Sequence, residues 1–328
     1  MQATASSISD PMDAANLSDP RTFHTVVWAH RMTLLVAFFS LLLIVFGGHV
    51  TTIAAGDTEP AWSLRFWAWF IPWHQLEGGH FYEMTHRQLG TIVGFLALAM
   101  VALLWRMEER AWVRRLGYIA FALIVVQGIL GGMRVLVVSD PSVQETAMQA
   151  TGLADGFGVR VLFGMVHATL GLALFALLIG ITEITSPCWF APRLRASSRA
   201  VAILRGITVW TAAALILQVV LGAWLRHAGW HAGVILLHAV GGLAVALFAL
   251  IIAVVAYGLD PKAALVRRPA FVLAALVQVQ IFLGIFSFVL PETVLIPTLH
   301  HVVGAVLLAL CVLTALRVRQ LLDPVSPV

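Results

Sequence analysis

Charge is the first thing this sequence lacks. Only 11% of its 328 residues are Asp, Glu, Lys or Arg, against about 25% in soluble globular domains. Hydrophobic residues make up 60% and the mean hydropathy is +0.94. So little charge excludes an ordinary soluble domain and indicates a polytopic membrane protein. Cysteine is nearly absent too: Cys188 falls in an expected cytoplasmic loop and Cys311 inside the last apolar run, which excludes an outward-facing disulfide. No cluster of Cys, His and carboxylates with zinc-ligand spacing is present. The first 25 residues lack the basic start and apolar core of a cleaved signal peptide, and read as a disordered cytoplasmic tail.

What is there is a series of apolar runs, each near the ~20 residues that a helix needs to cross ~30 Å of hydrocarbon. Eight are expected, at about 30–50, 85–106, 116–138, 161–183, 203–225, 233–257, 269–290 and 298–318. The fold class is therefore an all-α membrane protein.

Arginine placement orients it, because positive loops stay cytoplasmic. Arg106, Arg110, Arg114 and Arg115 lie between spans 2 and 3, and Arg193, Arg195, Arg199 and Arg205 between spans 4 and 5. Lys262, Arg267 and Arg268 precede span 7, and Arg317 and Arg319 follow span 8. The other side has Arg65, Arg87, Arg134, Arg160 and Arg226. Both termini are expected in the cytoplasm. The basic pI near 9.7 reflects this asymmetry and implies no nucleic-acid partner.

Two signatures alternate along the spans. Odd spans carry Q-x-x-L-G: "QGILG" (Gln127–Gly131), "QVVLG" (Gln218–Gly222) and "QIFLG" (Gln280–Gly284), with the degenerate "LIVFGG" ending at Gly48 in span 1. Even spans carry H-x-x-x-G: "HRQLG" from His86, "HATLG" from His167, "HAVGG" from His238 and "HHVVG" from His300. The alternation implies a duplicated four-helix unit inserted twice in the same direction. Two tandem pseudo-symmetric four-helix bundles are expected. Residues 26–185 form the first and 201–320 the second, with a cytoplasmic linker at 186–200 and a tail at 321–328.

Q-x-x-L-G reads as helix packing, since small residues let membrane helices approach closely and glutamine bonds across them. A lone intramembrane histidine can serve simply to satisfy a neighbouring carbonyl, but four at equivalent depth point to ligands. A glycine four residues on lies on nearly the same face, about 6 Å along the axis, and would clear flat space beside the imidazole. Two imidazoles from facing helices suit axial ligation of one heme iron. The pairs are His86 with His167 and His238 with His300; His301 competes with His300, although alignment with "LLHAVGG" favours His300.

The halves differ at one position. Glu83 precedes His86 by one turn, whereas Ile235 precedes His238. An interfacial helix-start glutamate favoured by the helix dipole is one reading; a chemical role beside the first heme is the other.

The stretch "FYEMTHRQLGT", the preceding loop "EPAWSLRFWAWFIPWHQLEGGHFYE", the "QGILGG"-type spans and the four histidines resemble the heme A synthase family across essentially all eight spans. The resemblance implies an oxidoreductase of the bacterial inner membrane that oxidises the C8 methyl of heme O to the formyl of heme A for terminal oxidases. It implies substrate heme O between His86 and His167, Glu83 as the catalytic carboxylate, and a heme b cofactor on His238 and either His300 or His301. Both heme sites would lie toward the periplasmic side. Expected partners are heme O, the heme O synthase that makes it, an electron acceptor such as quinone, and membrane lipid; a homo-oligomer is allowed. Two features depart from the family pattern: outward-loop cysteines are missing, and Ala239 rather than arginine follows His238. A diheme b-type cytochrome exchanging electrons with quinone explains the same histidines, and a transporter is the more distant alternative.

Overall fold

The computed structural model describes residues 20–59, 62 and 71–325. The expected tail up to residue 19, Arg65 and most of the aromatic outward loop lie outside the described residues. Those described contain nine α-helices: α1 (Pro20–Thr52), α2 (Gly78–Met107), α3 (Ala111–Ser139), α4 (Pro141–Thr151), α5 (Gly156–Ile184), α6 (Ser198–His227), α7 (Ala232–Tyr257), α8 (Ala264–Val289) and α9 (Leu295–Leu321). All but α4 supply a segment long and apolar enough to cross a bilayer. Hydrocarbon offers the backbone no hydrogen-bond partner, so even the β-branched run of α7 closes its bonds within a helix.

The structure adds elements that periodicity missed. Helix α1 starts at Pro20, ten residues before the expected span, with proline in the first turn, where a missing N–H costs nothing. Helix α4 occupies the connection after α3. Asp140 caps it by accepting from the backbone N–H groups of Ser142 and Val143, and Gly152 ends it at φ 70°. Hydrogen bonds from Ser142 hold the Asp140 carboxyl below its ordinary range. The linker is structured as well: β1 (Leu194–Ser197) pairs in parallel with β2 (Leu322–Val325), joining it to the end of the chain.

Helices α1, α2, α3 and α5 pack as one ring of neighbours and α6, α7, α8 and α9 as another, and α1 and α5 join the rings by packing on α9. Alanines such as Ala97, Ala120, Ala249, Ala270 and Ala305 are fully buried and permit the close approach. At the arginine-rich end, Arg317 of α9 clamps Glu183 of α5 through two hydrogen bonds of 2.8 Å and donates to the Leu265 carbonyl at 3.0 Å. Glu183 is only 5% exposed. Breaking one side of a buried ion pair leaves an uncompensated charge, at a cost of about 3–5 kcal/mol. Arg317→Met is therefore expected to lower the thermal midpoint in detergent markedly, whereas Glu183→Leu combined with Arg317→Met should recover most of the loss.

Candidate functional site

The two repeated motifs are the two halves of one helix-helix interlock. Each odd-motif helix runs antiparallel to its even-motif neighbour, and the imidazole of one sits on the glycine of the other. A methyl group added to Gly47, Gly131, Gly222 or Gly284 would lie 2.7, 3.3, 3.4 or 3.0 Å from Cε1 of His86, His167, His238 or His300 respectively. In return, the even-helix glycines receive the glutamines: Gly171 faces Gln127, Gly242 faces Gln218 and Gly304 faces Gln280. On α1, Leu43 takes the glutamine's place and lies against Gly90. Gln127 Nε2 donates to the His167 carbonyl at 3.1 Å, and Gln280 Nε2 to the His300 carbonyl at 2.9 Å.

This corrects the expectation that the H-x-x-x-G glycine clears space beside its own histidine. That space holds the neighbour's glutamine or leucine, and the glycine that admits each imidazole lies on the odd-motif helix. Antiparallel packing interleaves residues four apart on one helix with residues four apart on the other, which sequence spacing along a single helix does not display.

The second pair is well defined. The His238 and His300 rings stand 6.2 Å apart between centroids, inclined at 69°. With metal–nitrogen bonds of about 2 Å, two imidazoles on opposite sides of one metal ion hold their centroids roughly 6 Å apart. His300 Nδ1 lies 3.2 Å from the Gln280 carbonyl, and His86 Nδ1 lies 3.1 Å from that of Leu43. Donating Nδ1–H to a carbonyl leaves Nε2 as the lone pair, the arrangement that orients metal-bound histidines; in His300 that Nε2 lies 3.5 Å from the Gln280 amide nitrogen, which must give way to a metal. Among the described residues the buried His167 and His238 Nδ1 atoms have no hydrogen-bond partner. Donor type, spacing and orientation thus fit axial ligation of a heme iron. His301 is not brought to this pair. One residue on, its ring has turned away and packs on Gly48 of α1.

The first pair lines a cavity of about 310 Å³, within the range of small-ligand pockets. His86 and His167 reach it together with Glu83, and so do three residues from the other ring: Arg226 and His227, which the sequence did not single out as site residues, and His301, which was expected as an alternative ligand in the second pair. His227 rests on Gly164 of α5. Its signal was an ionisable Arg226–His227 pair closing an otherwise apolar helix, hidden because it stands outside the repeated motif.

Glu83 is 3% exposed and fully engaged. Its Oε2 accepts from the Thr58 hydroxyl at 2.5 Å, the Thr58 N–H at 2.9 Å and the Glu59 N–H at 3.1 Å. Its Oε1 pairs with Arg87 at 2.6 Å. Arg87 also donates to the Glu59 carbonyl at 2.8 Å. The carboxylate therefore ties the loop after α1 to the start of α2, and its ion pair with Arg87 stands at the cavity wall.

Fold and site together define a multi-pass α-helical membrane protein that seats four repeated histidines on glycines of the adjacent helices. The chain belongs to the COX15-CtaA family, described as cytochrome oxidase assembly protein and being the heme A synthase family, whose model matches residues 30–236. No curated protein matches the chain. The matched residues include Glu83, His86, His167, Arg226 and His227 and end two short of His238. The second pair is supported instead by the internal repeat and its own geometry.

The glycine seats make a graded prediction for heme-loaded protein. Gly47→Ala forces the His86 ring to move and should perturb the absorption spectrum of the first heme. Gly222→Ala, whose new methyl meets His238 at ordinary contact distance, should leave the second unchanged.

Proposed function

We propose that the protein is a heme A synthase that oxidises the C8 methyl of heme O to a formyl group. The first ring receives the substrate between His86 and His167, and the second ring holds heme b on His238 and His300. The observation that carries this reading is the asymmetry of the rings: a buried carboxylate, Glu83, faces the first cavity, and the equivalent position in the second ring is Ile235.

Heme b, which His238 and His300 would hold, would supply a one-electron redox centre. The side chains do the rest. His86 and His167 centre the substrate, and the glycine-seated rings keep their orientation. Glu83 offers a negative charge preorganised by Thr58, Glu59 and Arg87, placed where positive charge develops as electrons leave a ring methyl. With both oxygens already accepting hydrogen bonds, this charge suits electrostatic stabilisation better than carrying off a proton. The arginine-poor side, where the sites lie, is then the periplasmic face of a bacterial inner membrane. Heme O synthase and a quinone-type acceptor are the partners on either side of the reaction.

The diheme cytochrome is the second reading, favoured by the His238–His300 spacing, which suits a permanently bound heme. Extraction and chromatography of the bound hemes separates the two. Heme O, its alcohol or heme A beside heme b supports the synthase; heme b alone, with heme O supplied, supports the cytochrome. Glu83→Gln should keep the second-ring heme b and cut heme A formation by roughly 100-fold or more, with heme O or its alcohol accumulating. His238→Ala should do the reverse to the spectrum, removing the b-type signal from an inserted protein; full heme A formation by Glu83→Gln would remove the carboxylate from the mechanism.

A further inference from the structure

Axial ligation by two histidines fixes the centre of a porphyrin but not its rotation about the axis through them. Heme O carries several ring methyls, and only one rotation and one face present a chosen methyl to Glu83. Something at the rim must select it. The porphyrin's own handles are its two propionates, side by side on one edge, with the C8 methyl next to one of them.

The first cavity holds a cation suited to that edge. Arg226 belongs to α6 of the second ring, yet its guanidinium lines the first cavity. Its Nη2 donates to the Gly48 carbonyl at 2.5 Å and the Thr52 hydroxyl at 2.6 Å, both on α1. Among the described residues no carboxylate lies within ion-pairing distance of Arg226, whereas Arg87 has Glu83 and Arg134 has Asp57 at 3.5 Å. Nη1 and Nε make no hydrogen bond among the described residues. A partly desolvated guanidinium held only by neutral acceptors is costly, and a ligand carboxylate would offset that cost with charge-assisted hydrogen bonds. Arg226 also sits at the correct end. It contacts the last turn of α1, and the loop that follows that turn supplies the Thr58 and Glu59 groups that hold Glu83. A propionate on Arg226 therefore brings the adjacent methyl to the end of the cavity where Glu83 lies.

We propose that Arg226 binds a propionate of the substrate porphyrin and thereby turns toward Glu83 the edge whose two flanking methyls, C5 and C8, include the one that reacts. The proposal rests on the heme A synthase reading, and the second ring becomes a contributor to substrate recognition as well as the cofactor's holder. The test titrates ferric mesoporphyrin, as the free diacid and as its dimethyl ester, into full-length protein carrying His300→Ala so that added porphyrin reports the first cavity. With Arg226 present the diacid should bind roughly 10–100-fold more tightly than the ester. Arg226→Gln keeps donors for Gly48 and Thr52 without the charge, and should reduce that preference to about threefold or less with ester affinity unchanged. Arg226→Lys should retain much of it. Equal loss of affinity for both compounds in Arg226→Gln, or an undiminished preference for the diacid, overturns the proposal and leaves Arg226 as a tie between α1 and α6. If neither compound binds the first cavity even with Arg226 present, the functional reading fails and the proposal with it.

Discussion

An imidazole buried among membrane helices must have its polar atoms answered by neighbours, because lipid answers none of them. The repeated contact is a histidine ring laid on a glycine of the adjacent antiparallel helix, and for His86 and His300 it meets this demand. Without a side chain at Gly47, Gly131, Gly222 and Gly284, the rings come close enough for Nδ1 of His86 and His300 to reach a backbone carbonyl. The glutamine four residues before three of these glycines, whose side chain lies beside the even helix's glycine, then locks the pair from the other side. Each helix hairpin thus becomes a mount for one imidazole, and two hairpins per ring place two such mounts in one bundle.

One mount used four times yields two different sites because their surroundings differ. In the first ring the loop after α1 folds back over the start of α2, and Thr58 and Glu59 engage a buried carboxylate. The second ring has isoleucine at that point and supplies only the facing imidazoles of His238 and His300. A fixed charge beside one pair and none beside the other is the physical basis for reading one site as substrate and the other as cofactor.

The rings are not independent. Arg226, His227 and His301 of the second ring complete the cavity of the first, and at the opposite end Arg317 and Glu183 lock α9 to α5. Thr52 and Thr298 add a hydrogen bond between α1 and α9 at 3.2 Å. The doubled histidine "HH" makes the link especially short: His300 faces His238 while the next residue faces the other ring's cavity, because successive helical residues point about 100° apart.

Much of this protein is legible in its sequence. Apolar run length determines the eight spanning helices, since hydrocarbon thickness leaves a helix little choice of length. The period of the repeat determines which histidines are equivalent, and the lone acid at Glu83 marks the halves as chemically unequal. Structure without strong hydropathy was harder to see: α4, the early start of α1 and the β1–β2 pairing depend on caps, a proline and a contact between the linker and the end of the chain. Only the tertiary structure decided that each motif's glycine serves the partner helix, that His300 and not His301 faces His238, and that Arg226 and His227 belong to the opposite ring's cavity. Those outcomes depend on how helices are rotated and set against one another. That rotation is a property of packed surfaces, and spacing along one chain does not encode it.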